Sequence, residues 1–427
     1  MKYDFDSYFM YESTPQVTLT IRLKVVLKEK VNGDVLTKAA QTAFRRFPYY
    51  AKTLRIDEQG GHVLEPSDAP IVVKEEADDP VTLGSDETNY LFFCITYRDK
   101  SVYFNASHSF CGGCGALFWV KTTLLQYVSD LYHKEIDAEG ILTPDTPVLP
   151  GETALPDLAT LPNDEPLGGP PEGPSWFPME DAMAAYTNPS LHAVMYPIQI
   201  GQKELMDYAR QHDGTPNSIL CVAMFKALSR LLRNDSKVTH ISGKIACNYR
   251  SDVGCPDTYR DLVRLFRIRY RKDMADQDME RLSTVTRGSM YVQMEPELSW
   301  QEYRKLVAFR EGIDSAGSHE EKVRYAREHS LLRETSRDSY SISYAGNSSW
   351  GGLAEYVDEV YSFADGHLML EVNALPDKFC ICFQQVIPGE KYLNAFLQVL
   401  DEEGIKYAVG PMEEKKLPRI RLPHCPA

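Results

Sequence analysis

Between Gln16 and Leu27 the chain alternates, with Val17, Leu19, Ile21, Leu23 and Val25 apolar and mostly polar residues between them. Side chains two apart share one face of a strand, so this stretch predicts a half-buried strand. After Asn32 the period changes. Leu36, Ala39, Ala40, Ala43, Phe44 and Phe47 recur at helical spacing until Pro48 ends the run, which predicts an amphipathic helix with one buried stripe. The text LFFCITYRDKSVYFNAS, 91–107, returns to alternation. It predicts a hairpin turning near Arg98-Asp99-Lys100, with Val102, Phe104 and Ala106 on one face. Past the glycines that follow, Leu117, Val120, Leu124, Tyr127, Val128 and Leu131 mark the apolar side of a second helix.

From Thr143 to Pro178 the periodicity stops, and ten of the 26 prolines fall in this stretch. It reads as a long crossover between a unit over 1–142 and a unit over 179–427. Beyond it LHAVMYPIQI and KVTHISGKIACNYR predict strands. Thr215 and Pro216 supply an N-cap and a first-turn proline for a helix over 217–233. Polar helices are expected over 299–313 and 319–329, a hairpin over 367–386 around Pro376-Asp377, and a terminal helix over 393–405. Strands and helices alternate in both halves with hairpins among them. The fold class is therefore α/β, as two mixed layers and not one uninterrupted parallel sheet.

Charge narrows the partners. Lys and Arg number 46 against 61 Asp and Glu, a net −15, which disfavours nucleic acid as a ligand. Arg264 to Lys272, RLFRIRYRK, alternates Arg with apolar residues and reads as a half-exposed strand, with an anion contact as the other reading. No apolar run approaches bilayer length, and the acidic, polar start lacks the apolar centre of a signal peptide. Nine scattered cysteines do not form a disulfide framework. A cytoplasmic, reduced protein is expected, and a monomer.

Candidate chemistry concentrates in YFNASHSFCGGCGALFWV, 103–120, where a strand end meets a helix start across a histidine, two cysteines and three glycines. His108 has the side chain whose ordinary pKa best suits a general base near neutral pH. The other nine histidines read as ordinary structural residues. Cys111 and Cys114 form a CxxC, which can cycle as a dithiol or, with His108, supply half a zinc site. A thioredoxin-like reading lacks its βαβ context. A zinc reading lacks further ligands, since Cys380-x-Cys382 alternates into a strand. No metal ligand set is expected.

The order strand, His-x-x-x-x-Gly, amphipathic helix resembles the HxxxDG signature of the chloramphenicol acetyltransferase-like acyltransferases, which include alcohol acetyltransferases and condensation domains. His108 matches its histidine and Gly113 its glycine, whereas Gly112 stands where that family has aspartate. VNGDVLTKAAQTAFRRFPYYAKTL is similar to the family's first helix and TPNSILCVAMFKALSRLL to the helix opening its second half. CNYR, with Asn248 and Arg250, resembles the NxR strand end, and SYAGNSSWGG the SNxG loop.

This resemblance implies two domains of mixed sheets flanked by helices, with an active-site tunnel between the halves. It implies acyl transfer from acyl-CoA, or from a carrier-protein pantetheine thioester, to a small-molecule alcohol or amine. No cofactor would be bound, and an acyl carrier protein is a possible partner. His108 would be the base, with Gly112 and Gly113 keeping the turn open to substrate and Ser343, Gly346 and Asn347 lining the other side. Asn248 and Arg250 would be structural. Without the motif aspartate, Arg250 needs another counterpart: Asp252, or backbone carbonyls that the glycine turn lets face it. Two alternatives stay open, a non-catalytic binding relative and a thiol or zinc protein.

Overall fold

A computed structural model describes residues 4–169, 193–330, 338–344, 349–386 and 389–424. In the first half, β1 (Thr20–Leu27) turns Ile21, Leu23 and Val25 into the core. Its other face is buried as well, with Arg22 on Glu76 and Lys24 on Glu413, so the strand is not half-buried as expected. The helix α1 (Gly33–Phe44) starts on Asn32, whose side chain accepts from the Val35 N–H at 3.2 Å. β2 (Lys52–Ile56) and β3 (His62–Pro66) form a two-stranded hairpin of their own. β4 (Val72–Glu75), β5 (Thr82–Leu83), β6 (Phe93–Arg98) and β7 (Ser101–Ser107) follow, and then α2 (Gly113–Tyr132). The predicted hairpin is the β6–β7 pair, with Asp99 in the left-handed region at its turn.

The second half runs β8 (Val194–Gly201), α3 (Gln202–Gln211), α4 (Pro216–Leu231), β9 (His240–Asn248), β10 (Val263–Arg271) and α5 (Met279–Val292). It continues with α6 (Pro296–Ser315), α7 (His319–Glu328), β11 (Tyr340–Tyr344), β12 (Val357–Phe363), β13 (Leu368–Ala374), β14 (Lys378–Gln385) and α8 (Lys391–Glu402). The short strands β15 (Ala408–Val409), β16 (Glu413–Glu414) and β17 (Arg419–Ile420) complete it. Thr215 caps α4 through the Ser218 N–H, and Pro216 opens it, as read from the sequence. Two helices went unread: α3, whose run is mostly polar, and α5, where Thr284, Val285, Thr286 and Gly288 weaken the helical signal.

Each half has its own sheet and core. The first sheet has strand order β12-β1-β7-β6-β4, and the second has order β10-β9-β11-β13-β14-β8-β15 with β16 also on β8. In the first core Trp119 of α2 is fully buried and meets the rings of Phe93 and Phe104 edge-on at 5.3 and 5.1 Å. In the second, α4 is buried along almost its whole length, against α8 among others. The halves exchange one strand. β12 leaves the second half and pairs antiparallel with β1, from Arg22↔Phe363 to Leu27↔Val357. Trp350, Leu353, Val357 and Val360 accordingly belong to the first core.

The crossover is described as far as residue 169 and is only partly exposed. Glu152 is buried against Arg46, which it meets at 2.6 and 2.9 Å, and accepts from the Tyr49 hydroxyl at 3.0 Å. Farther on, the Tyr303 hydroxyl donates to the Pro156 carbonyl at 3.0 Å, which holds the segment on α6. Arg264 to Arg271 alternates in burial as an edge strand, with Phe266, Ile268 and Tyr270 inward. Its arginines find protein partners: Arg267 reaches Asp338 at 2.9 Å, and Arg264 bonds the Gln293 carbonyl. Among the described residues no helix is long and apolar enough to cross a membrane.

Candidate active site

His108 is the first residue past β7, so the strand end fixes where its ring starts. Its N–H donates to the Leu19 carbonyl at 2.7 Å, while the Leu19 N–H donates to Asp365 at 2.9 Å. Leu19 has φ +50°, a conformation costing a leucine about 1 kcal/mol that persists here between those two bonds. The loop before β1 is thus clamped on one side to the histidine and on the other to a buried acid of the second half.

The ring faces a carboxylate that the sequence did not point to. Asp261 Oδ2 lies 3.1 Å from His108 Nδ1, with the His side chain 35% and the Asp side chain 20% exposed. Burial alone would lower the histidine; the charge and hydrogen-bonding reach of Asp261 override it and push His108 up to about 9. A neutral ring with its proton on Nδ1, toward Asp261, leaves the Nε2 lone pair for a substrate.

Gly112 explains how that carboxylate fits. A side chain at Gly112 would place Cβ 2.6 Å from Asp261 Oδ1, closer than real contacts allow. The acid therefore occupies the space beside the turn that a residue at 112 would fill. Gly112 is also the N-cap of α2, and the positive end of a 20-residue helix favours a carboxylate there. Gly115 is equally constrained, since its Cβ would lie 2.4 Å from the Tyr259 carbonyl. Gly113 is not: open space surrounds the position of its missing side chain.

Arg250 is buried, and its partners differ from those expected. Its Nε and Nη2 donate to the Arg260 carbonyl at 3.1 and 2.8 Å, and Nη2 to the Tyr259 carbonyl at 3.2 Å. Backbone carbonyls do satisfy it, but they come from the segment before Asp261 and not from the glycine turn. Asp252 is engaged elsewhere, accepting from Ser299 Oγ at 2.6 Å. Asn248 accepts from the Arg250 N–H at 2.8 Å and so braces the same corner. The arginine thus holds the 259–260 backbone, and that backbone presents Asp261 to His108. Tyr259 and Arg260 add further ties, both to Asp6 at 2.6 Å.

Ser343 lies on β11, paired with Glu371 of β13, and its hydroxyl bonds that carboxylate. Burial pushes Glu371 up to about 7, against the opposing pulls of Ser343, His108 and Lys415. Gly346 and Asn347 lie outside the described residues. Just beyond them, the Ser349 carbonyl accepts from Lys121 Nζ of α2 at 2.6 Å, and Lys121 also sits 4.9 Å over the Trp350 ring. Ser349 and Trp350 are therefore tied to the helix that follows His108. A cleft of about 400 Å³ opens between the halves, with Thr18, Asp78, Asp365 and Lys415 on its wall. His108 is not on that wall, and Asp365 links the two places.

The thiols read as packing. Cys111 is buried, and burial raises its pKa far above the ordinary thiol range; burial raises Cys114 as well. A thiol held protonated is a poor nucleophile and a poor metal ligand. Among the described residues neither forms a disulfide, and no cluster of metal-binding geometry includes either one.

No protein-family model matches the chain, and no curated relative does. Solved structures do. The TRI3 trichothecene 15-O-acetyltransferase from Fusarium sporotrichioides is 12% identical, covering 93% of this chain and 92% of its own, with a TM-score of 0.56. The F. graminearum TRI101 complex with coenzyme A and deoxynivalenol is 10% identical, at 94% and 98% coverage and a TM-score of 0.54. The first condensation domain of the CDA synthetase is 11% identical, at 91% and 92% coverage and 0.52. The fold is the one these two acetyltransferases and the condensation domain share. In this chain a histidine stands at the strand end with a buried arginine nearby. The acid beside the histidine ring is Asp261.

Proposed function

We propose that this protein is an acyltransferase that moves an acyl group from a thioester to an alcohol or amine, with His108 as general base. The observation that carries the reading is the His108–Asp261 pair at 3.1 Å, a ring oriented by an acid at the seam of the two halves. Nε2 takes the acceptor's proton as its oxygen or nitrogen attacks the thioester carbonyl. The C–S bond then breaks, and the leaving thiolate takes that proton from His108. No acyl-enzyme is needed. Asp261 is a positioning residue: it fixes the tautomer and favours the imidazolium formed during attack.

The neighbouring structures support acyl-CoA as donor, since TRI101 is solved with coenzyme A and TRI3 is named an acetyltransferase. A carrier-protein pantetheine thioester has the same reacting bond, and a condensation domain is also among the neighbours. Gly112 and Gly113 would border the donor, with Ser343, Gly346 and Asn347 across from them. The chain would work as two halves, 1–142 and 179–427, joined by the crossover.

The test is a screen of acyl-CoA thioesters against simple alcohols and amines, read as release of free thiol. The same assay on His108→Ala should show a loss of about 100- to 10,000-fold, with the circular dichroism spectrum unchanged. A folded variant with near-normal turnover would remove His108 from the chemistry.

A further inference from the structure

Three histidines remote in sequence meet away from His108. His62 opens β3, His319 opens α7, and His424 follows β17, so the cluster draws on the first half, the second half and the last described residues. One ring nitrogen from each lies within 4.8 Å of the other two. The rings gather beside Tyr11, which stacks on His62 at 3.7 Å, while His62, His319 and His424 lie 5.3 to 5.7 Å apart by centroid.

The hydrogen bonds decide which nitrogens are bare. His62 Nδ1 faces the Ser7 carbonyl at 3.4 Å, and His319 Nδ1 faces the Gly60 carbonyl at 3.1 Å. With their protons on Nδ1, both Nε2 atoms carry lone pairs, and both are buried without a hydrogen-bond partner. The ring nitrogens of His424 are buried too, and with its proton turned to the Met10 and Ser13 backbones its other ring nitrogen carries a lone pair. His62 is 0% exposed. An unpaired buried polar atom costs on the order of 1–3 kcal/mol, and one bare nitrogen on each of three converging rings calls for a common partner. A backbone carbonyl on the far ring nitrogen is how metal-binding histidines are usually oriented.

We propose that His62, His319 and His424 bind a late first-row divalent cation, zinc above all, as a structural clip between the halves. Three neutral imidazoles with water in the fourth place suit zinc. Zinc–nitrogen bonds of about 2.0–2.1 Å set ligand nitrogens roughly 3.3 Å apart, so the ion would draw these rings in by about 1 Å. Gly60 lets the site close, because a Cβ there would lie 2.2 Å from the His319 backbone nitrogen. Neither the acyl-transfer reading nor the CxxC depends on this cluster.

The experiment uses the full chain without an affinity tag, treated with chelator and titrated with Zn²⁺ against a chromophoric competitor. One equivalent should bind with a submicromolar Kd and raise Tm by a few degrees. Cobalt substitution should give visible d–d bands with no thiolate charge-transfer band. Affinity should fall at least 100-fold in His319→Gln and in His424→Gln, and stay unchanged in the Cys111→Ser/Cys114→Ser double variant. Binding weaker than about 10 μM, a thiolate band, or full affinity in both histidine variants would overturn the site. Should either variant misfold, the wild-type stoichiometry and cobalt spectrum decide alone.

Discussion

His108 and the trio His62, His319 and His424 carry the same imidazole under opposite conditions. His108 is about one-third exposed and faces a carboxylate, which raises its proton affinity. His62 and His424 are packed among other rings, without an acid partner, and burial lowers theirs. Burial works in the same direction at both places, so the difference comes from Asp261. The contrast teaches that a histidine's role is set by what faces its second nitrogen. A carboxylate there makes a base, and backbone carbonyls there leave bare lone pairs suited to a cation.

The sharpest way to break this contrast is to remove the acid. Asp261→Asn should lower acyl-transfer kcat/KM by roughly 10- to 1,000-fold at its best pH, because tautomer and imidazolium both lose support. The base must be neutral to act, so wild-type kcat/KM should climb with pH and level off near 9. In the variant burial is no longer overridden, so the rise should level off at or below the ordinary histidine value of about 6.5. An unmoved profile would show that Asp261 does not tune His108. Stability follows the same linkage. The folded pKa of His108 is raised, so its contribution is fully present below about 6.5 and lost as pH rises through about 9. The stability gap between wild type and Asp261→Asn should therefore shrink over that window in denaturant titrations.

Restoring the motif aspartate should do harm. Gly112→Asp sets a second carboxylate against Asp261, where even a Cβ comes within 2.6 Å of Oδ1. A loss of about 1–3 kcal/mol in unfolding free energy is expected from overpacking, with more from like charge. Adding Asp261→Ala should recover most of that stability and part of the activity, because one acid again lies beside the ring. Failure of the pair to recover would mean that residues 112 and 261 do not share one space. The smallest effect should come from Cys111→Ser/Cys114→Ser, whose turnover should stay within an order of magnitude of wild type. A larger loss in a folded protein would return the thiols to the mechanism.

How much of this was legible beforehand depends on sequence distance. α1, the β6–β7 hairpin, α2 and α4 were readable because caps, prolines and apolar periods act within one element. His108 was readable because strand, turn and helix follow one another directly. Asp261 was not, since only the pairing of β9 with β10 and the bonds from Arg250 to the 259–260 carbonyls bring it to the histidine. The one local hint was Gly112 itself, a missing side chain that shows its meaning once the neighbour is known. His62, His319 and His424 carried no pattern, because nothing in their spacing says that a hairpin, a helix start and a late segment share one corner. For Arg250 the sequence left Asp252 or glycine-turn carbonyls as partners, and the carbonyls of 259–260 take that place, because only the fold brings them to it.

The exchanged strand bears on how the protein is made. Until Val357–Phe363 has left the ribosome, β1 has no partner on its outer side, and its row of amide and carbonyl groups lies open. At ordinary synthesis rates of about 5–20 residues per second, that edge waits on the order of tens of seconds for its partner. During this interval the nascent first half is an adhesive surface on which a neighbouring chain's strand can take the place of β12. Co-expressed halves divided at the crossover would meet the same hazard permanently, because the piece that finishes the first sheet is carried by the other fragment.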